Sequence, residues 1–116
     1  DAQESRGLGD VYKRQPVGNE EGEIISAALG DKRAILLSHH GQLSTGASIE
    51  EACVIAQLIE RAAKLQLLAM AAGTIKPILP ELGREAHDWI SKPKRHSAAF
   101  NYYARQNLKK HADCLN

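Results

Sequence analysis

A β-hairpin is predicted by the stretch Arg33-Ala34-Ile35-Leu36-Leu37-Ser38-His39-His40-Gly41-Gln42-Leu43-Ser44-Thr45-Gly46. Its first six residues form a short apolar run with turn signals on both sides, which is the pattern of a buried strand. Gly41 and Gly46 bracket a second short strand, which a tight reversal would pair with the first. The two adjacent histidines fall where the first strand ends, a place that is rigid and open to solvent.

A long helix is predicted directly after the hairpin, from Ile49 to Ala72, with Gly73 as its end. Ser48 and Glu51 form a capping box, in which each side chain accepts a hydrogen bond from a backbone N–H at the helix start. At about 1.5 Å per residue, this helix is about 36 Å long. Its apolar side chains lie on more than one side, so we expect it to be covered from more than one direction.

Three shorter helices are predicted around these two elements. Their expected bounds are Asn19, as the cap, to Leu29, Pro80 to Ile90, and Lys94 to about Lys110. In the last of them, Phe100, Tyr103 and Leu108 are expected to face the body of the protein. In the helix before it, Trp89 is expected to anchor the docking of that helix.

The composition suits one small domain, with 116 residues, a net charge of +1 and 43% hydrophobic residues. No apolar run approaches the roughly 20 residues that span a bilayer, so no membrane segment is expected. Cys53 and Cys114 are too few for a disulfide scaffold, which favours a reduced, cytoplasmic setting. Basic residues gather after Arg84, where a solvated helix explains them more simply than nucleic-acid binding does.

The first fifteen residues are interpreted as foreign to the natural protein. Residues 5–15 match the translation of a transposon-type sequencing adapter residue for residue. Fusion scars are excluded from fold reasoning, so we take the natural sequence to begin near Pro16, in the middle of a gene.

The hairpin and the long helix together carry a family resemblance. The matching pieces are Ile35-Leu36-Leu37-Ser38-His39-His40-Gly41, Gly46, Ser48-Ile49-Glu50-Glu51-Ala52 and Ile59-Glu60-Arg61-Ala62-Ala63. In this order and at this spacing they resemble the class II aldolase/adducin family, over roughly Glu20 to Gly73. The resemblance implies an α/β fold: an α/β/α domain with a mainly antiparallel sheet, usually assembled as a homotetramer. Residues 16–116 would form its C-terminal part, with a short hairpin and three or four helices.

The resemblance implies a zinc site. In the family, the histidine directly before the glycine is a zinc ligand, which is His40 here, with His39 on the other strand face as the alternative. Two further ligands come from an upstream His-x-His, which this sequence lacks, and an upstream acid serves as the base. Zinc held by three histidines keeps one position open for substrate oxygens and stabilises an enediolate. Because one histidine does not hold zinc tightly, the chain alone is expected to be metal-free and inactive.

A C-terminal tyrosine serves as acid/base over a neighbouring subunit's metal in some members of the family. By position, Tyr103 is the candidate for this role, with Tyr102 as the alternative and helix packing as the competing explanation. The remaining histidines, His87, His96 and His111, are expected at the surface. Glu60 is expected to satisfy backbone groups beneath the hairpin.

The leading functional hypothesis is therefore a metal-dependent lyase acting on a small hydroxy acid or sugar phosphate. Aldol cleavage, decarboxylation and epimerisation are all open outcomes, because the residues that choose among them would lie upstream. The alternative is a non-catalytic, adducin-like interaction module that keeps the fold without the metal site. A third interpretation, a helical module with a chance match, is disfavoured by the His-Gly pair just before a capped long helix.

Overall fold

The computed structural model describes residues 18–115; the proposed adapter segment and Pro16 lie outside this range. Its elements are α1 (Asn19–Leu29), β1 (Ala34–Leu37), β2 (Gly41–Ser44), α2 (Ile49–Ala72), α3 (Pro80–Ile90), α4 (Pro93–Lys110) and a short 3-10 helix (Ala112–Leu115). An antiparallel hairpin accompanied by four α-helices confirms the predicted α/β class.

The two predicted short strands pair as an antiparallel hairpin. Ala34 pairs with Ser44 and Leu37 pairs with Gly41, which leaves a three-residue loop of Ser38, His39 and His40. The loop is closed by the amide of His40, which donates to the carbonyl of Leu37 over 3.1 Å. At the open end, the amide of Thr45 donates to the carbonyl of Arg33 over 2.8 Å. Both ends of this two-stranded unit are thus fixed by backbone hydrogen bonds.

Helix α2 has the predicted bounds, but its capping differs from the prediction. The Ser48 hydroxyl accepts from the amide of Glu51 over 3.2 Å, as a capping box requires. The Glu51 carboxylate accepts from the amide of Ala47 over 2.6 Å instead of from the amide of Ser48. The carboxylate therefore holds the loop that leads into α2. It binds the amide one residue before the N-cap, whereas the reciprocal bond of a capping box would bind the amide of the N-cap itself.

The predicted cap of α1 is wrong by one residue. Gly18 is the N-cap, in an extended conformation, and Asn19 is the first helical residue, without a side-chain cap hydrogen bond. Gly30 ends the helix as predicted, with its amide donating to the carbonyl of Ser26.

Strand β2 is joined to α2 by two side-chain hydrogen bonds. The Ser44 hydroxyl donates to the carbonyl of Ala52 over 2.9 Å, and the Gln42 amide donates to the carbonyl of Ala56 over 3.0 Å. The spacing matches, because two residues of a strand rise about 6.8 Å and four residues of a helix rise about 6 Å. Both accepting residues are alanines, whose small side chains let the strand approach close enough to bond to the helix carbonyls.

Burial is concentrated at this junction. Ile35 and Val54 are buried, whereas every residue of α2 from Glu60 to Ala72 is exposed. The exposed part carries apolar side chains such as Leu65, Leu68 and Met70. A helix that is apolar on several sides is normally enclosed by other elements. The expected cover from more than one direction is not supplied by residues 18–115.

Helix α4 packs against α2 with one face. The less exposed residues recur at helical spacing, and they are His96, Ala99, Phe100, Tyr103 and Ala104. Phe100 and Tyr103 thus face the body as predicted, but Leu108 is 39% exposed, so that prediction is wrong. Leu108 follows Ala104 by four residues, so helical spacing alone does not decide its burial.

Trp89, the expected docking anchor, contacts the next helix at the surface of the protein. Its side chain on α3 is 53% exposed, and the guanidinium of Arg95 on α4 lies over its ring. The contact between these two helices is a cation–π interaction at the surface, which is worth about 0.5–1 kcal/mol when exposed.

Replacing Gly46 with alanine is expected to destabilise the protein by about 1–3 kcal/mol, as overpacking does. An added Cβ would lie 2.8 Å from Cγ of Glu51 and 2.9 Å from the amide nitrogen of Ala52, at the rigid start of α2. The matched control is Gly22→Ala, because nothing lies within 4 Å of a Cβ there. In the interior of α1 that change should stabilise by roughly 0.5–1 kcal/mol. Urea unfolding of both variants measures the difference, and equal midpoints would contradict the assigned contact.

Candidate metal centre

The candidate ligand His40 lies in the hairpin loop, directly after β1, and its side chain is exposed. Its backbone is fixed by the bond from its own amide to the carbonyl of Leu37. The imidazole is therefore carried by a short, closed loop and is accessible from outside the core. This is the location predicted for it, at the end of a strand.

His39 precedes it in the same loop and has φ 57°, the single positive φ of a non-glycine residue within 18–115. The left-handed conformation costs most residues roughly 1–2 kcal/mol. The alternation of side chains along a strand does not apply to residues in a turn, so the expected opposite-face arrangement of His39 and His40 does not follow from the fold.

A complete metal site is not formed by the described part of the chain. Among residues 18–115 there is no group of three His, Cys, Asp or Glu side chains that could hold a metal ion. Imidazole is a ligand that zinc prefers, so His40 fits one position of a zinc site by its chemistry and exposure. The other donors would have to come from outside these residues.

The two tyrosines considered for acid/base chemistry lie on α4. Tyr103 is half-buried on the face that packs against α2, and Tyr102 is exposed. Their rings meet edge to face, with centroids 5.5 Å apart. An edge-to-face pair of this kind contributes about 0.5–1.5 kcal/mol beyond burial. Tyr103 thus serves packing, and its catalytic role stays a prediction.

The hairpin that carries His40 is held by a buried carboxylate. Glu51 is 9% exposed, and it accepts from the Arg33 guanidinium with Oε1 and from the Ala47 amide with Oε2. Arg33 directly precedes β1, and Ala47 follows β2. One carboxylate thus connects the two strands, at the open end of the hairpin, to the first turn of α2.

The fourth member of this cluster is His96, for which the predicted surface position is wrong. It is 5% exposed, and its Nδ1 lies 3.6 Å from Oε1 of Glu51. A signal for its burial was present in the sequence, because His96 begins the i, i+3, i+4, i+7 series that continues through Ala99, Phe100 and Tyr103.

Glu60 does not have the structural role predicted for it. It is exposed on α2, and the acid that satisfies a backbone amide next to the hairpin is Glu51. The capping position of Glu51 places it beside the loop, whereas Glu60 lies more than two turns further along the helix.

The hairpin and most of α2 lie in a segment that matches the model of a known protein family. The model of the class II aldolase and adducin N-terminal domain matches residues 3–67, more than half of the 116 residues. The chain belongs to the class II aldolase and adducin family. The matched range ends within α2, so that α3 and α4 follow it. It begins inside the segment assigned to an adapter, and that assignment stays a prediction.

Relatives with several different names share this segment. The chain is 36% identical over 77 residues to the meiotically up-regulated gene 14 protein of Schizosaccharomyces pombe, covering 64% of the chain and 30% of that protein. It is 33% identical over 75 residues to a 4-hydroxy-3-prenylphenylpyruvate oxygenase/4-hydroxy-3-prenylbenzoate synthase of Streptomyces roseochromogenus, covering 65% of the chain and 27% of that protein. It is 31% identical over 75 residues to the rhamnulose-1-phosphate aldolase of Listeria monocytogenes, covering 65% of the chain and 28% of that enzyme. The chain thus spans less than a third of the length of these relatives.

No helix within residues 18–115 combines the length and the apolar character needed to cross a bilayer.

Replacing Glu51 with glutamine should lower the free energy of unfolding by about 1–3 kcal/mol, the cost of leaving buried hydrogen-bonding groups unsatisfied. The amide keeps the shape of the carboxylate but loses the charge that binds Arg33 and one of the two accepting oxygens. Glu60→Gln is the control, because it makes the same chemical change at an exposed position of the same helix. Urea unfolding of both variants tests this, and a loss of the same size in each would show that Glu51 does not hold the junction.

Proposed function

We propose that the chain is part of a metal-dependent lyase of the class II aldolase type. The observation that carries this proposal is His40, an exposed imidazole directly before Gly41 in the hairpin loop, in a chain that belongs to this family. A divalent cation, zinc in the first instance, would supply Lewis-acid stabilisation of the negative charge that develops on substrate oxygens. His40 would be one of its ligands, and the other donors and the catalytic base would lie outside residues 18–115.

The scaffold around His40 supports this role. A ligand has to be held in position by its surroundings before the metal arrives. The closed three-residue loop fixes the backbone of His40, and the bonds from Ser44 and Gln42 to α2 fix the strand that follows. An imidazole in this position has a fixed backbone and an exposed side chain, which suits a shared metal site.

The proposed substrate is a small hydroxy acid or a sugar phosphate. The similarity to a rhamnulose-1-phosphate aldolase favours carbon–carbon bond cleavage in a phosphorylated sugar. The similarity to a Streptomyces oxygenase/synthase indicates that the reaction differs among proteins that share this segment. Decarboxylation and epimerisation therefore remain outcomes to test alongside aldol cleavage.

The proposed active protein is a homotetramer in the cytoplasm. The exposed apolar side chains on α2 require cover, which further parts of the aldolase domain and neighbouring subunits would supply. Both cysteines are free thiols, which suits a reducing compartment. With one candidate ligand among the described residues, the chain by itself is proposed to be inactive.

The competing proposal is a non-catalytic interaction module of the adducin type. It is kept because the family model that matches the chain describes class II aldolases and adducins together. The two proposals differ in whether the full-length protein binds a stoichiometric metal ion through His40.

Replacing His40 with alanine in the full-length protein should weaken zinc binding by at least about a hundredfold, because even outer-shell partners of a metal contribute roughly 10–100-fold. Lyase activity on sugar phosphates should fall with the zinc content. His39→Ala is the matched control, since it removes a neighbouring imidazole from the same loop and should keep the metal. Zinc is measured by elemental analysis, and full occupancy in the His40 variant would refute its assignment as a ligand.

Replacing Tyr103 with phenylalanine should lower kcat by about 10²–10⁴-fold, the usual contribution of general acid–base catalysis, with zinc content unchanged. Tyr102→Phe is the control in the same ring pair and should retain activity. If the losses are reversed, the exposed Tyr102 is the acid/base group. If both variants keep activity close to that of the parent protein, the two tyrosines serve packing and neither is the acid/base group.

A further inference from the structure

His96 is a buried titratable side chain that the proposed function does not use. Its Nδ1 is buried and, among the described residues, makes no hydrogen bond. The nearest carboxylate oxygen, Oε1 of Glu51, lies 3.6 Å away, just beyond hydrogen-bond distance. A buried polar atom without a full hydrogen bond is costly, so an apolar side chain would pack here at lower free energy. The presence of a histidine at this position therefore needs a physical reason other than stability.

Within residues 18–115, no hydrogen bond or ion pair joins the rest of the α4 face to α2. Ala99, Phe100, Tyr103 and Ala104 are small or aromatic, and their burial against α2 is a non-directional attraction. Such burial does not by itself select one axial position of the helix. Single buried polar groups fix the register of such helix pairs, at a cost in stability.

We propose that the contact between His96 and Glu51 fixes the axial register of α4 on α2. Glu51 is a fixed reference point, because Arg33 and the amide of Ala47 already hold its two oxygens. A slip of α4 by one turn, about 5.4 Å, would carry the imidazole away from the carboxylate. That position would bury the ring without any polar neighbour, and its free energy would be higher.

The contact also requires a particular protonation of the ring. The charged groups in the cluster are Glu51 from α2 and Arg33 from the segment before β1, which binds the same carboxylate oxygen. On α4 itself, the neighbouring Arg95 lies over Trp89. A lone pair on Nδ1 would be repelled by the carboxylate, whereas an N–H at Nδ1 would be attracted to it. The inference therefore assigns the proton to Nδ1.

The register of α4 determines the position of the tyrosine pair. Tyr103 follows His96 by seven residues, which is two turns or about 10.5 Å along the same helix face. A helix is rigid over this distance, so fixing His96 also fixes Tyr103 and Tyr102. This consequence holds whether or not the protein proves to be a lyase.

The test uses two substitutions in the 116-residue chain, His96→Leu and His96→Asn. Leucine fills the site without a polar group, and asparagine keeps a side-chain donor of smaller size. The control is His87→Leu, since His87 is an exposed histidine on α3. Each variant is examined for its thermal midpoint by circular dichroism, and by NMR for contacts from the ring of Tyr103 to methyl groups of α2. Nitrogen-15 spectra of the parent protein report which ring nitrogen of His96 carries the proton.

The expected result for His96→Leu is a midpoint equal to or above that of the parent, together with two or more sets of Tyr103 signals. The expected result for His96→Asn is a single set with the parent's contacts, and in the parent Nδ1 of His96 is protonated. His87→Leu should change none of these observations.

Two results would overturn the proposal. A single set of Tyr103 signals with unchanged contacts in His96→Leu would show that packing alone fixes the register. A lower midpoint for His96→Leu, with α4 detached, would show that the contact stabilises the helix instead of selecting its position. If leucine prevents folding, the asparagine variant decides: several sets of signals there, with the helix still docked, would also contradict the assignment.

Discussion

The carboxylate of Glu51 is the contact on which the arrangement of the hairpin, the long helix and the last helix depends. Burying a carboxylate is costly unless donors surround it, and here a guanidinium and a backbone amide supply them. Bonds to a charged acceptor are roughly twice as strong as neutral ones. Because the donors come from residues before β1 and after β2, the carboxylate joins segments that the sequence separates by fourteen residues. The close approach of Gly46 to the same side chain completes the junction.

The elements that could be predicted from the sequence are those with local causes. The hairpin follows from an apolar run, a glycine and a short loop, and the bounds of α2 follow from Ser48 and Gly73. Local signals also placed His40 in the exposed loop. For the capping box, the bond to the Ser48 hydroxyl was predicted correctly and the reciprocal bond to the amide of Ser48 was not. The Glu51 carboxylate also binds Arg33, which is a tertiary contact, and its position next to Ala47 depends on that contact.

The residues that could not be predicted are those whose environment is created by another element. The spacing of His96 with Ala99, Phe100 and Tyr103 marks the docking face, but its place next to Glu51 is created by the docking of α4 on α2. Leu108 has a similar spacing, yet it is 39% exposed. The position of His40 at the end of β1 could be identified locally, whereas the other ligands of the proposed metal site would depend on how distant segments assemble, and no single stretch of residues 18–115 specifies them.

The position of Glu51 relative to His40 bears on how one fold can serve several functions. The carboxylate holds the open end of the hairpin, at Arg33 and Ala47, while His40 lies in the loop at the closed end, beyond the residue pairs from Ala34–Ser44 to Leu37–Gly41. At about 3.4 Å per residue, the stretch from Arg33 to Leu37 spans roughly 14 Å. The contacts of Glu51 therefore do not involve the loop that carries His40. A side-chain change in that loop should therefore leave the Glu51 junction intact, so that the loop can vary while the hairpin and the long helix are kept.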